Sequence, residues 1–83
     1  MIKIHRDPVE SSVIATMGYD PLAKILDIEF KDDGRVYRYF DVPASEYDAF
    51  MEAPSKGTYL NREFKKAGYL YEIIDQVKRR RTG

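Results

Sequence analysis

Cysteine is absent from these 83 residues, and so is tryptophan. Without cysteine there is neither a disulfide nor a thiolate metal site. Histidine occurs once, at His5, which leaves a histidine-based dyad or metal cluster without enough members. Long apolar runs are missing too, which excludes a membrane span. The first residues, Met1-Ile2-Lys3-Ile4-His5-Arg6-Asp7-Pro8, lack the apolar stretch of a secretory signal. Carboxylates alone remain for acid–base or metal chemistry. The pairs Asp32/Asp33 and Asp27/Glu29 read better as hairpin chemistry and as the wet face of a strand. The expectation is a cytoplasmic chain that is not an enzyme and carries no metal or other cofactor.

What is present is aromatic and charged. Seven tyrosines and four phenylalanines supply much of the apolar bulk, and 34% of residues are charged. That is the composition of one soluble domain with a small core. The formal charge is zero, yet it is unevenly placed. Residues 1–53 hold six Lys/Arg and eleven Asp/Glu, whereas residues 54–83 hold eight and three. A local basic surface attracts anions even when the total is neutral. Tyr59, Phe64, Tyr69 and Tyr71 lie within the basic part, and flat rings are what nucleobases stack on.

The pattern divides the chain into an N-terminal arm (residues 1–10), one domain (11–77) and a basic tail (78–83). Residues 11–19 read as a first strand, turned by Pro21. In Ile25–Lys31, Leu26, Ile28 and Phe30 alternate with Asp27, Glu29 and Lys31, the period of a half-buried strand. Asp33-Gly34 then forms a hairpin turn into Val36–Phe40. Tyr37 and Tyr39 face the core; Val36, Arg38 and Phe40 stay partly exposed, since Arg38 has no evident buried partner. Ser45 and Asp48 fit a capping box for a short helix carrying Tyr47, Phe50 and Met51. Pro54 ends that helix. Ser55 caps a second one, reaching about Lys66, with Leu60, Phe64 and Ala67 on its apolar face and Gly68 as its stop. Residues 69–77 hold apolar side chains that dock on the body. The expected fold class is α+β: a three-stranded antiparallel meander with two short helices packed on one face.

Several segments together resemble the KTSC domain, a short domain at the C-terminus of some lysyl-tRNA synthetases and a stand-alone protein in bacteria and phages. The resemblance runs from residue 11 to about 73. It rests on Ser11-Ser12-x-Ile14, Gly18-Tyr19-Asp20, Leu26-x-Ile28-x-Phe30, Tyr37-x-Tyr39 followed by Val42-Pro43, Ala53-Pro54-Ser55-Lys56-Gly57 and Tyr59-x-Asn61. It implies no activity; the link to a tRNA-charging enzyme implies RNA binding as an expectation.

The candidate sites follow from charge and rings. Ser55, Lys56 and Gly57 open the second helix, where unpaired N–H groups can cradle a phosphate; alternatively Ser55 only caps and Lys56 is solvated. Asn61, Arg62, Lys65 and Lys66 sit at helical spacings, as a stripe for a sugar–phosphate backbone or as an ordinary solvated face. Arg79, Arg80 and Arg81 are a signal for nucleic acid or an acidic partner. The stacking candidates are Arg38, Phe40, Tyr69 and Tyr71; for Tyr69 and Tyr71 closing the core is the preferred alternative. The leading expectation is a small binding module for RNA or single-stranded nucleic acid. The rivals are a self-associating interaction module, such as a homodimer, and a binder of a small phosphorylated ligand.

Overall fold

Residues 3–75 are described, from a computed structural model of the protein. The alternation in the middle of the chain sets the architecture. Strands β1 (Asp7–Pro8), β2 (Ile14–Asp20), β3 (Ile25–Phe30), β4 (Val36–Tyr39) and β5 (Tyr71–Asp75) form one antiparallel sheet in sequence order. The meander expected from the sequence therefore has five strands, not three. The added strands are the outer ones. β1 is two residues long and contains a proline, so it carries no alternation to read. β5 pairs Tyr39 with Tyr71 and Tyr37 with Ile73, which the apolar content of residues 69–77 had indicated only as docking.

The hairpin between β3 and β4 behaves as its sequence dictates. Gly34 takes a φ of 69° and donates its N–H to the Phe30 carbonyl. The β2–β3 turn is held by Asp20, whose Oδ1 accepts from the N–H groups of Leu22 and Ala23, an Asx turn.

Two helices cover one face. Helix α1 (Ala44–Glu52) starts after Pro43, with no side-chain cap. The expected Ser45/Asp48 capping box is thus corrected: the cap position is Pro43, two residues earlier, and Ser45 lies inside the helix. The second helix, α2 (residues 56–67), is a continuous run of Lys56–Tyr59, a π-helical turn over Leu60–Phe64 and a last turn over Lys65–Ala67. Ser55 accepts from the Thr58 N–H at its start, and Gly68 ends it at φ 73°, both as expected. Phe50, Leu60 and Phe64 enter a core built by Ile14, Met17, Leu26, Ile28 and Tyr39 of the sheet and Val42 beyond β4. Ala67, expected on the apolar face, is exposed.

The opposite face of the sheet is not wet throughout. Asp27 is buried, and its two oxygens accept from Arg38 Nε and Nη2, each at 2.9 Å. The expectation of a solvated Asp27 and a partnerless Arg38 is corrected together: neighbouring strands set the two side chains opposite each other. Val36, expected to be partly exposed, is fully buried.

The residues before β2 cross this face at Gly18, the register neighbour of Asp27. A Cβ there would sit 2.2 Å from the His5 carbonyl oxygen. Arg6 Nε donates to Thr16 Oγ1, which donates to Glu29. Gly18→Ala must therefore push the crossing segment away from the sheet. We expect a loss of about 2 kcal/mol, read as a lower urea midpoint. An unchanged midpoint would show that residues 4–6 do not lie over Gly18.

Candidate nucleic-acid interface

The two helices are too short to cover five strands, and the uncovered part of their face is a groove of about 640 Å³. Its floor is aromatic because β4 and β5 alternate in step. Tyr37, Tyr39 and Tyr71 project to the helix side; Tyr37 and Tyr71 stack at 5.3 Å and 28°, and Tyr39 lies 5.5 Å from Tyr71. Tyr39 is buried, while Tyr71 is 56% exposed. One wall is α2, from which Leu60, Phe64, Asn61 and Lys65 line the groove. Leu60 and Phe64 also bound the π-helical turn, closed by the Lys65 N–H on the Leu60 carbonyl. Such turns recur at functional sites. The other wall is the β3–β4 hairpin, with Phe30, Asp32 and Asp33.

Tyr69 closes the far end. Its ring lies 5.0 Å from Phe64 and its hydroxyl donates to Glu46 Oε1 at 2.9 Å. Tyr59 donates to the other oxygen of the same carboxylate. Glu46 thereby ties α1 to α2 and to the segment leading into β5.

These contacts have a pH signature. Burial pushes the Tyr39 hydroxyl up to about 12. The bond to Glu46 does the same for Tyr59, and burial reinforced by that bond does so for Tyr69. A phenol in the unfolded chain ionises near 10. The native state thus holds protons the unfolded state has released, and stability falls as pH rises from about 10 towards about 12. Alkaline titration should show phenolate absorbance of these tyrosines appearing together with loss of the fold. Ionisation of all seven tyrosines near pH 10 with the fold intact would contradict the buried contacts.

The residues singled out in the sequence are divided by this geometry. Lys65 and Asn61 come to the groove, as do Tyr69 and Tyr71. Arg62 instead lines a shallower notch with Ser55, Thr58 and Glu63. Lys66 is exposed on the last turn. Lys56 Nζ donates to the carbonyl of Met51 at 3.0 Å, near the end of α1, and Ser55 is engaged as the cap. Gly57 sits against Val13, which a Cβ would approach to 3.2 Å. Arg38 is held by Asp27 on the opposite face, and Phe40 lies half-buried past the end of β4, its N–H on the Leu70 carbonyl. Arg79, Arg80 and Arg81 lie outside the described residues.

Sequence reasoning placed Tyr37 and Tyr39 in the core, where Tyr39 is buried and Tyr37 packs against it, and Asp32 in a turn; it did not show that all three also line the groove. The available signal was the length of the helices, too short for the strands. Among the described residues, no cluster of three or more His, Cys, Asp and Glu could hold a metal ion, and no helix is long and apolar enough to cross a membrane.

Comparison with known proteins adds relatives to this geometry. A family model described as the KTSC domain matches residues 10–69. An uncharacterized protein of Stutzerimonas stutzeri is 41% identical over 70 residues, 84% of this chain and 97% of its own length. A lysine–tRNA ligase of Nostoc sp. is 40% identical over 65 residues, which are 78% of this chain but 11% of the ligase. The crystal structure of a KTSC domain protein from Yersinia pestis superposes with a TM-score of 0.80 at 37% identity, covering 88% of this chain and all of that one.

Proposed function

The chain belongs to the KTSC domain family, and from that premise we propose that it is a non-catalytic binding module for RNA or single-stranded nucleic acid. The observation that carries this reading is the tyrosine floor of the groove with Lys65 and Asn61 on its helical wall. Exposed rings stack unpaired bases irrespective of sequence. A lysine at the rim meets the phosphate that follows, and Asn61 offers both a donor and an acceptor. The occurrence of the domain within proteins named lysine–tRNA ligase is consistent with an RNA ligand. No catalytic role is assigned: His5, against Asp7, is exposed at the start of the chain.

Titration with short single-stranded RNA tests the reading. Binding should weaken steeply with salt, because phosphate contacts release counterions. Lys65→Ala should lower the slope of log affinity against log salt by about one. No binding at low salt, or binding indifferent to salt, would overturn it.

A second reading, self-association, rests on the outer edge of β5, where Leu70 is 77% exposed beside Tyr71 and Ile74. Unpaired strand edges with apolar side chains invite a further strand. Light scattering decides: a strictly monomeric chain at high concentration removes this reading.

A further inference from the structure

One of the seven tyrosines is left with a hydrogen bond unmade. The hydroxyl of Tyr19 donates to the Val42 carbonyl, and those of Tyr59 and Tyr69 donate to Glu46. Tyr37, Tyr47 and Tyr71 are half-buried or exposed and keep some surface in water. Tyr39 is 7% exposed, and among the described residues its hydroxyl has no hydrogen-bond partner. Buried polar groups are as a rule hydrogen-bonded, so this exception calls for a cause.

The exception opens into the groove. Tyr39 lines it, while its ring packs edge-on with Phe64 at 4.8 Å. Tyr71 and Tyr37 lie 5.5 Å and 6.4 Å away. Burial, Tyr37 and Tyr71 are what push its ionisation up, so the three phenol ends share one part of the groove floor. Burial penalises an ion there, and the hairpin wall carries Asp32 and Asp33, which repel an anion. A phosphate therefore stays at the rim with Lys65, and the group that reaches the floor is neutral.

We infer that the Tyr39 hydroxyl is a ligand contact, hydrogen-bonded by a neutral group of a bound nucleotide, either the ribose 2′-hydroxyl or an amide of the base. This rests on the nucleic-acid reading above. A phenol hydroxyl both donates and accepts. So does a 2′-hydroxyl, the group that separates RNA from DNA. The bond that the free protein leaves unmade forms when the groove is filled. Tyr39 thus works against the stability of the empty protein and in favour of the complex.

Tyr39→Phe removes the hydroxyl and keeps the ring. In the absence of RNA the variant should unfold at a higher urea midpoint than the parent, since a buried donor without an acceptor is gone. An equal or lower midpoint shows the hydroxyl satisfied within the free protein and overturns the inference. Oligouridine and oligodeoxyuridine of one length are then compared by fluorescence anisotropy at low salt. A parent that prefers RNA, with a variant that binds RNA about fivefold more weakly and has lost the preference, assigns the contact to the 2′-hydroxyl; fivefold is the scale of one neutral hydrogen bond. The same loss on both strands assigns it to the base. Variant affinities equal to the parent's on both strands overturn the inference while the nucleic-acid reading stands. Failure of the parent to bind either strand overturns both readings.

Discussion

Arg38→Ala should remove about 3–5 kcal/mol of stability, close to everything a domain of this size has. The reason lies in its partner. The Asp27 side chain is 1% exposed, and both of its oxygens are held by Arg38, itself 11% exposed. Truncating the arginine leaves a charge buried without compensation, which costs far more than the pair contributes. The bond to Asp27 is also what raises the Arg38 pKa most, so the guanidinium stays charged at any pH the fold survives. Urea unfolding followed by circular dichroism measures the loss. A double replacement, Asp27→Leu with Arg38→Met, removes both charges and should recover most of the stability. A loss under about 1 kcal/mol for Arg38→Ala, the range of an exposed ion pair, would show that water reaches Asp27.

Phe64→Ala should cost a similar amount, about 3–5 kcal/mol, and should also dismantle the groove. Phe64 is buried between Tyr39 at 4.8 Å, Phe50 at 5.3 Å and Tyr69 at 5.0 Å. It joins both helices to the sheet and forms part of the groove wall. The cavity left by its ring frees α2 and, through Tyr69, the entry to β5. Phe64→Leu, which keeps most of the volume, should cost about 1 kcal/mol and keep RNA affinity within a small factor. An alanine variant as stable as the parent would mean that α2 is not docked by this residue.

How far the sequence carried these features depended on whether a signal was local. Leu26, Ile28 and Phe30 alternate, and Asp33-Gly34 dictates the turn, so β3 and β4 were legible. Ser55 and Gly68 marked the ends of α2 for the same reason. The burial of Asp27 was not legible, because it depends on Arg38 in the next strand and on the segment crossing Gly18. Nor was the engagement of Lys56, which depends on where α1 releases its last carbonyls. The π-helical turn inserts an extra residue and takes later positions off the three-and-four rhythm; Ala67 lies beyond it, exposed. The groove escaped most completely. Tyr37 and Tyr39 have the spacing of core residues, and they become a floor only because β5 brings Tyr71 beside them while the helices stop short. The grouping of Lys65 and Asn61 apart from Arg62 likewise follows from where α2 meets the sheet.

The most direct measurement is an amide chemical-shift map of the chain on addition of a short single-stranded RNA at low salt. The account predicts the largest changes at Tyr37, Tyr71, Asn61, Lys65 and Asp32, the residues that surround one groove, with the Arg38–Asp27 face unmoved. Changes confined to residues 78–83, or spread evenly over every basic residue, would contradict it and leave only charge attraction without a site.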